Sequence, residues 1–131
     1  FRFKFVGRDW DHVVSKLTSM GVEVEYVTSE DYSKYPSHYH DVDYVLIPSL
    51  WEGGPISVLE ALACGKPVIS SDVGFVGDFK VDYMYQPNDM GGLVNILKEI
   101  IEPIKIRRNS VSEVTYKNYT EGLIKIIKQL K

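Results

Sequence analysis

One stretch of the chain decides the fold: Pro48-Ser-Leu-Trp-Glu-Gly-Gly-Pro-Ile-Ser-Val-Leu-Glu-Ala-Leu-Ala-Cys-Gly-Lys-Pro-Val-Ile-Ser-Ser-Asp-Val-Gly74. A short apolar run at 43–48 leads into it, as expected of a strand covered on both faces. Apolar residues at helical spacing follow at about 56–64 and stop at Gly65, and a second strand-like run lies at 67–71. This order of strand, helix and strand predicts a parallel β-α-β unit.

The same alternation extends in both directions from this unit. Further strands are predicted at 2–7, 22–28 and 81–85. One helix is predicted from its cap at Asp9 to about residue 20, where Gly21 ends it. Further helices are predicted at 30–41, in broken form, at 89–101 and at about 112–131. The pattern predicts an α/β fold, a doubly wound, Rossmann-like parallel sheet of about five strands with helices on both faces. Ligands of such sheets bind at the carboxyl ends of the strands.

The composition is that of a globular protein and excludes several function classes. In 131 residues, 44% are hydrophobic and 25% charged, which suits one domain. With 15 basic and 18 acidic residues the net charge is −3, which argues against nucleic acid as a partner. The single cysteine, Cys64, excludes an internal disulfide. No apolar run predicts a transmembrane segment and nothing resembles a signal peptide, so the predicted location is cytoplasmic.

The loop before the central helix has the features of an anion site. Gly53 and Gly54 let the backbone approach a ligand without obstruction by a Cβ atom. The first N–H groups of the helix, near residues 55–57, lack intrahelical partners and lie at the positive end of the helix dipole. A phosphate or diphosphate is the ligand that such a site favours. Glu52 and Glu60 flank it and are suited to accept hydrogen bonds from sugar hydroxyls.

Glu52 and Glu60, separated by seven residues, resemble the E-x7-E motif of retaining GT-B glycosyltransferases. The flanking Pro48-Ser49, the run Ala61-Leu-Ala-Cys-Gly-Lys-Pro-Val-Ile-Ser-Ser-Asp72 and the run His40-Asp-Val-Asp-Tyr-Val-Leu-Ile47 are similar to that family too. The similarity covers roughly residues 1–101 and is best at 43–74. The resemblance implies transfer of a sugar, of the hexosyl type, from a nucleoside-diphosphate sugar with retention of configuration. It also implies no metal and no cofactor besides that substrate.

The resemblance assigns roles within this stretch. It implies that Glu52 contacts the donor sugar and Glu60 holds the ribose, both as catalytic residues. Backbone N–H groups at Gly54, Ile56 and Ser57 would meet the sugar or phosphate. The residues predicted to form the donor site are Arg8, Gly53, Gly54, Pro55, Ile56, Ser57 and Glu60. Arg8 is the only early basic residue available for the diphosphate, since the lysine that usually follows in the family is not evident.

The family pattern also predicts how the chain relates to a larger protein. Residues 1–131 would be the donor-binding domain, the C-terminal half of a GT-B fold, as a fragment without its first strand–helix unit and without the N-terminal acceptor domain. The expected acceptor is a sugar or a lipid-linked glycan, as in polysaccharide biosynthesis, and the full-length protein could be peripheral to the membrane. Such a fragment should be inactive alone. The strand at 2–7 should border the strand at 43–48, directly or across a gap, giving the local order 2-1-3-4-5.

Other interpretations of the same residues remain open. Ser57-Val-Leu-Glu60 also fits a capping box, in which Glu60 only stabilises the helix start. Arg8 is equally well explained as a surface charge. Trp10 and Trp51 could stack on a base or sugar, but packing aromatics are commoner. A group of His38, His40, Asp41 and Asp43 fits no standard metal spacing. At the level of function, the alternatives are a non-catalytic nucleotide-sugar-binding or partner subunit and a GT-B-like nucleotide-sugar epimerase.

Overall fold

A computed structural model of the chain describes residues 1–111, with side chains as far as Pro103. The helix predicted at 112–131 lies outside the described residues. The backbone divides into two units, residues 1–88 and the chain from Asp89 onward. No helix among the described residues is long and apolar enough to cross a membrane.

The first unit begins with strand β1 (Arg2–Val6), helix α1 (Asp11–Ser19) and strand β2 (Glu23–Val27). The strands pair in parallel over their whole length, from Arg2 opposite Glu23 to Val6 opposite Val27. The predicted cap at Asp9 is wrong. Trp10 occupies the cap position without a side-chain bond, and Asp9 has a φ of +67°, so the tight turn after Gly7 takes this residue out of the capping position.

The segment predicted as a broken helix at 30–41 is confirmed as two short elements. A 3₁₀ turn, Tyr32–Lys34, leads directly into helix α2 (Tyr35–His40). Asp31 caps the turn, because its Oδ1 accepts a hydrogen bond from the backbone N–H of Ser33 at 2.8 Å. The hydroxyl of Ser33 donates to the same oxygen at 2.6 Å and is the larger cause of the lowered pKa of the Asp31 carboxyl, and the backbone bond adds to it.

The predicted β-α-β unit is confirmed in the second half of this unit. Strand β3 (Val45–Ile47) is followed by helix α3 (Ile56–Ala63) and strand β4 (Val68–Ser71). A 3₁₀ turn and strand β5 (Tyr83–Tyr85) complete it, and the three strands form a parallel sheet in the order β3-β4-β5. Every residue of β4 is buried, since this strand has a hydrogen-bonded neighbour on both sides.

The core of the first unit lies around β4 and the inner face of α3. Its buried members are Ile47, Val58, Ala61, Val68, Val73 and Val76. Helix α3 ends where the sequence predicts, because Gly65 adopts a φ of +66°, the left-handed conformation that terminates helices. This packing fixes the position of α3, and therefore of its N-terminus, above the carboxyl end of β3.

The five strands form two hydrogen-bonded sheets, whereas the sequence predicted a sheet of about five strands in which β1 borders β3 directly or across a gap. The pairs β1-β2 and β3-β4-β5 have the predicted local orders, but no hydrogen bond joins β1 to β3 in the described part of the chain. Alternating strands and helices predict a common strand direction, whereas pairing also requires a spacing of about 4.8 Å, which the sequence pattern does not encode. The α/β class and the parallel pairing of the strands within each sheet are confirmed.

A buried lysine links the first sheet to the segment that leads into β3. The Lys4 side chain is 8% exposed, and its Nζ lies 3.0 Å from Glu25 on β2 and 3.2 Å from Asp41, which follows α2. Burial acts to lower the pKa of Lys4, but the hydrogen bonds and charges of Glu25 and Asp41 outweigh it and raise this pKa overall.

The second unit contains helix α4 (Met90–Val111). Asp89 caps it, accepting the N–H of Gly92 on Oδ1 at 2.8 Å, in agreement with the predicted start. The predicted end at residue 101 is wrong, since the helix continues through Pro103. Proline removes one backbone hydrogen bond and strains the preceding turn, but no further proline or glycine follows within the helix to end it.

Candidate functional site

The N-terminus of α3 carries two backbone N–H groups without partners. Pro55 takes the cap position with an extended backbone, φ −72° and ψ 101°, and its side chain makes no capping bond. The N–H groups of Ile56 and Ser57 donate to no atom of the described residues. With the dipole of α3 behind them, these two groups form a site that favours an anion.

Close contact between two loops shapes the approach to this helix. A Cβ atom at Gly74, which has a φ of +54°, would lie 2.6 Å from the carbonyl oxygen of Gly53 and 2.9 Å from that of Glu52. A Cβ atom at Gly54 would lie 2.0 Å from Cε1 of Phe75. The loop that carries Glu52 is therefore held backbone against backbone by the loop after β4. Beside Gly53 the space is open, and this is where a ligand can approach the backbone.

A buried hydroxyl fixes the beginning of the loop. Ser71, the last residue of β4, is 1% exposed, and its Oγ donates a hydrogen bond to the carbonyl oxygen of Ser49 at 2.6 Å. The bond holds the loop that follows β3 against the sheet at Ser49, one residue after Pro48. The sequence places Ser71 at the start of a loop at the carboxyl edge of the sheet, but no local pattern around it reveals the hydrogen bond to Ser49.

The hydroxyl of Ser71 is expected to contribute measurably to stability. Ser71→Ala leaves the carbonyl of Ser49 without its partner, which should lower the free energy of unfolding by about 1–3 kcal/mol. Ser70→Ala is the matched control, since Ser70 is equally buried and its hydroxyl bonds only to the neighbouring carbonyl of Ser71 at 2.9 Å. Urea unfolding measures both. Equal losses in the two variants would show that the bond to Ser49 contributes nothing of its own.

The carboxylate of Glu52 is hydrogen-bonded within the loop that precedes α3. Its Oε1 accepts a hydrogen bond from the Oγ of Ser49 at 2.9 Å, and the side chain is partly buried. Together with Trp51 and Gly53 it lines a shallow surface depression of about 290 Å³. One of its oxygens is thus held in place, and the depression beside it is open to a ligand.

The carboxylate of Glu60 is held by two tyrosines and forms no capping box. Tyr32 donates its hydroxyl to Oε1 at 2.5 Å, and Tyr39 donates to Oε2 at 2.6 Å. The hydrogen bond to Glu60 raises the pKa of Tyr32, while for Tyr39 burial is the larger cause and this bond adds to it. Because the carboxylate accepts from these hydroxyls, the N–H of Ser57 at the helix start is left without an acceptor among the described residues.

Sequence reasoning missed Tyr32 and Tyr39. Both belong to the polar, aromatic segment after β2, far from Glu60 in the chain, and one of nine tyrosines gives no local signal of its partner. The remaining predicted donor residue, Arg8, is exposed at the carboxyl end of β1. In the described part of the chain no hydrogen bond or ion pair joins Arg8 to Glu52, to Glu60 or to any other side chain.

Three of the four residues considered for a metal take part in structural contacts. His38 Nε2 lies 2.6 Å from Glu30, the carbonyl of His40 accepts from Lys66 at 3.1 Å, and Asp41 pairs with Lys4. Bonding to Lys34 and then to His38 lowers the pKa of the Glu30 carboxyl. No group of three or more potential metal ligands occurs in the residues that the structure describes.

The two tryptophans differ in environment. Trp10 packs against Phe5 with ring centroids 5.2 Å apart, as expected of a packing aromatic. Trp51 is 90% exposed, so the packing interpretation is wrong for this residue. An exposed indole beside the depression at Glu52 is available to contact a ligand or another protein surface.

The chain belongs to the glycosyl transferases group 1 family, whose family model matches residues 2–118. The chain is 35% identical over 96 residues to the lipopolysaccharide 1,6-galactosyltransferase of Escherichia coli strain K12, covering 66% of this chain and 27% of that protein. To an uncharacterized glycosyltransferase of Methanocaldococcus jannaschii it is 24% identical over 117 residues, covering 82% and 33%. The chain thus spans about a quarter to a third of the length of these two relatives.

Two further comparisons concern a second lipopolysaccharide enzyme and a solved structure. A lipopolysaccharide core biosynthesis mannosyltransferase of Rhizobium meliloti is 39% identical over 44 residues, which cover 34% of this chain and 12% of that protein. Among solved structures, sucrose-phosphate synthase of Thermosynechococcus elongatus superposes with a TM-score of 0.65 at 21% identity, covering 97% of this chain and 38% of that one. This likeness confirms the predicted Rossmann-like fold class.

Proposed function

We propose that the chain binds a nucleoside-diphosphate sugar and, as part of a larger two-domain protein, transfers the sugar to an acceptor hydroxyl with retention of configuration. The observation that carries this proposal is the start of α3. There the N–H groups of Ile56 and Ser57, which have no partner among the described residues, follow the glycine loop directly, and Glu52 and Glu60 flank them in the sequence. Membership of the glycosyl transferases group 1 family supports it.

The chemistry follows from the properties of these groups. The diphosphate binds at the N-terminus of α3, where N–H donors and the helix dipole offset its charge without a metal ion. Charge grows on the leaving diphosphate as the bond to the sugar breaks, so donors already oriented towards it stabilise the transition state more than the ground state. Glu52 accepts hydrogen bonds from the donor sugar and Glu60 from the ribose. Gly53, beside which the space is open, lets the substrate reach the backbone of the loop.

The identity of the sugar and the acceptor is proposed from the relatives. Two of them are named for the transfer of galactose and mannose in lipopolysaccharide synthesis, which supports a hexosyl donor and a sugar or lipid-linked glycan as acceptor. The acceptor would bind to a separate N-terminal domain. A cytoplasmic location, free or at the membrane surface, matches such a substrate and stays a prediction.

A second candidate function is a non-catalytic nucleotide-sugar-binding or partner subunit. The observation that favours it is the isolation of Arg8, which has no bond or ion pair to the other predicted site residues in the described part of the chain. Weak neutralisation of the diphosphate would reduce catalysis more than binding. Donor binding without transfer by the full-length protein would favour this alternative over the enzyme.

The isolated chain is expected to be catalytically silent. Transfer requires the acceptor hydroxyl to be held next to the donor, and positioning of this kind accounts for much of the rate of two-substrate enzymes. Incubation of the purified chain with donor sugars and candidate acceptors, followed by mass spectrometry of the acceptor, should show no transfer. Slow release of the sugar to water is compatible with this expectation, whereas glycosylated acceptor above the background rate contradicts it.

Calorimetric titration with uridine, guanosine and adenosine diphosphates and their hexose derivatives tests the proposal. We expect one of the three nucleoside diphosphates to bind. The corresponding monophosphate should bind more weakly, because the N–H groups of α3 interact with the phosphates. Absence of binding by all of them at millimolar concentration would refute donor binding.

A further inference from the structure

The carboxylate of Glu60 has hydrogen-bond donors from within the protein itself. Each oxygen accepts one tyrosine hydroxyl, Tyr32 on Oε1 at 2.5 Å and Tyr39 on Oε2 at 2.6 Å. Tyr32 belongs to the 3₁₀ turn after β2 and Tyr39 to α2, so one short segment supplies both donors. A ligand hydroxyl that binds Glu60 must either share the carboxylate with these two groups or replace one of them.

The two tyrosines differ in how firmly they are held. Tyr39 is partly buried and packs against the core around β4 and α3. Tyr32 is 68% exposed, and the ring contact described for it is with Tyr35, at 5.2 Å between centroids. Withdrawing Tyr32 from Glu60 therefore exposes little apolar surface, whereas withdrawing Tyr39 would disturb the packing of α2.

We propose that the hydroxyl of Tyr32 occupies the position on Glu60 that a ribose hydroxyl takes in the complex, and that Tyr39 stays in place to orient the carboxylate. Tyr32 is then a competitor that the ligand displaces, and Tyr39 is a positioning residue. The inference rests on the proposed role of Glu60 in holding the ribose of a nucleoside diphosphate.

The chemistry of the two hydroxyls supports this assignment. A phenol and a ribose hydroxyl are both neutral O–H donors, so each can satisfy the same carboxylate lone pair. Tyr32 is the exposed member of the pair and Tyr39 is half-buried, so a ligand that arrives from solvent can replace Tyr32 with less disturbance. Tyr32 thereby keeps the carboxylate hydrogen-bonded until the nucleotide binds and takes its place.

Tyr32→Phe tests the exchange. The probes are whichever of UDP, GDP and ADP binds most tightly, and the analogue of the same nucleotide that lacks both ribose hydroxyls. We expect Tyr32→Phe to strengthen binding of the ribonucleotide by about three- to tenfold, since one competing hydrogen bond is removed. The dideoxyribose analogue cannot take the place of Tyr32, so its affinity should stay the same in this variant.

Tyr39→Phe and Tyr35→Phe complete the design. Tyr39→Phe should weaken the ribonucleotide by about tenfold, because the carboxylate loses the group that orients it, and should again leave the dideoxyribose analogue unaffected. Tyr35→Phe is the matched control, since Tyr35 lies in the same segment and its hydroxyl has no hydrogen bond among the described residues. It should change neither affinity. Phenylalanine keeps the ring in all three variants, and thermal unfolding verifies that each is folded.

The inference is overturned if Tyr32→Phe weakens the ribonucleotide, leaves it unchanged, or strengthens both nucleotides equally. It is also overturned if Tyr39→Phe strengthens binding as Tyr32→Phe does, because the two tyrosines would then be equivalent. These outcomes leave donor binding itself intact. Failure of all three nucleotides to bind any form of the chain would instead refute the proposed function, and the inference with it.

Discussion

Glu60→Gln should weaken nucleoside-diphosphate binding by about tenfold or more. A hydrogen bond to a charged acceptor contributes about 1.5–3 kcal/mol, and the amide removes both the charge and one acceptor oxygen while keeping the size of the side chain. The ribose hydroxyl would then meet either a neutral oxygen or an NH₂ group that cannot accept. Calorimetry with the nucleotide that binds the native chain measures the effect.

Stability distinguishes this role from a purely structural one. The amide oxygen of Gln can still accept from Tyr32 or Tyr39, so the free energy of unfolding should fall by about 1 kcal/mol or less. Glu23→Gln is the control for the loss of charge, since Glu23 is exposed at the amino end of β2, the end away from the site. Unchanged nucleotide affinity in Glu60→Gln, together with a clear drop in melting temperature, would contradict the binding role.

Gly74→Ala should cause a large loss of stability. Two costs combine at this position, the left-handed φ of +54° and a Cβ atom 2.6 Å from the backbone oxygen of Gly53. The first costs about 1–2 kcal/mol, and overpacking against a backbone that cannot move adds about 1–3 kcal/mol. We therefore expect a loss of about 2–5 kcal/mol by urea unfolding, and weaker nucleotide binding because the loop carrying Glu52 must shift.

Gly65→Ala separates the two costs. Gly65 has a similar φ of +66° at the end of α3, but no atom would lie within 4 Å of an added Cβ. The Gly65→Ala variant should therefore lose only the conformational part of the free energy of unfolding, about 1–2 kcal/mol, and should bind the nucleotide with unchanged affinity. If Gly74→Ala were no more destabilised than Gly65→Ala, the contact between the two loops would not support the site.

Much of the fold could be predicted because the signals are local. The glycine pair, the proline and the apolar spacing after Pro55 predict where α3 begins, and Gly65 predicts where it ends. The free N–H groups at Ile56 and Ser57 follow from the same local pattern, since every helix start has such groups. Prediction was accurate where a residue and its consequence lie within a few positions of each other.

The features that could not be predicted depend on partners distant in the chain. Glu60 lies 28 residues from Tyr32, and nothing near either residue indicates the hydrogen bond between them. Gly54 was explained by approach of a ligand, but the ring of Phe75 takes the space that its side chain would occupy. The separation of β1 from β3 likewise depends on spacing between strands, which alternation along the sequence does not encode.

Amide NMR of the chain, titrated with the diphosphate nucleotide that binds most tightly, tests most directly whether the anion site lies at the start of α3. The account predicts that the largest chemical-shift changes at saturation occur at Gly54, Ile56 and Ser57, since their N–H groups would change from no protein partner to a charged acceptor. It also predicts that the same nucleoside without phosphates leaves Ile56 and Ser57 nearly unshifted. Saturation with unchanged Ile56 and Ser57 amides, and the largest shifts outside residues 52–60, would contradict the account.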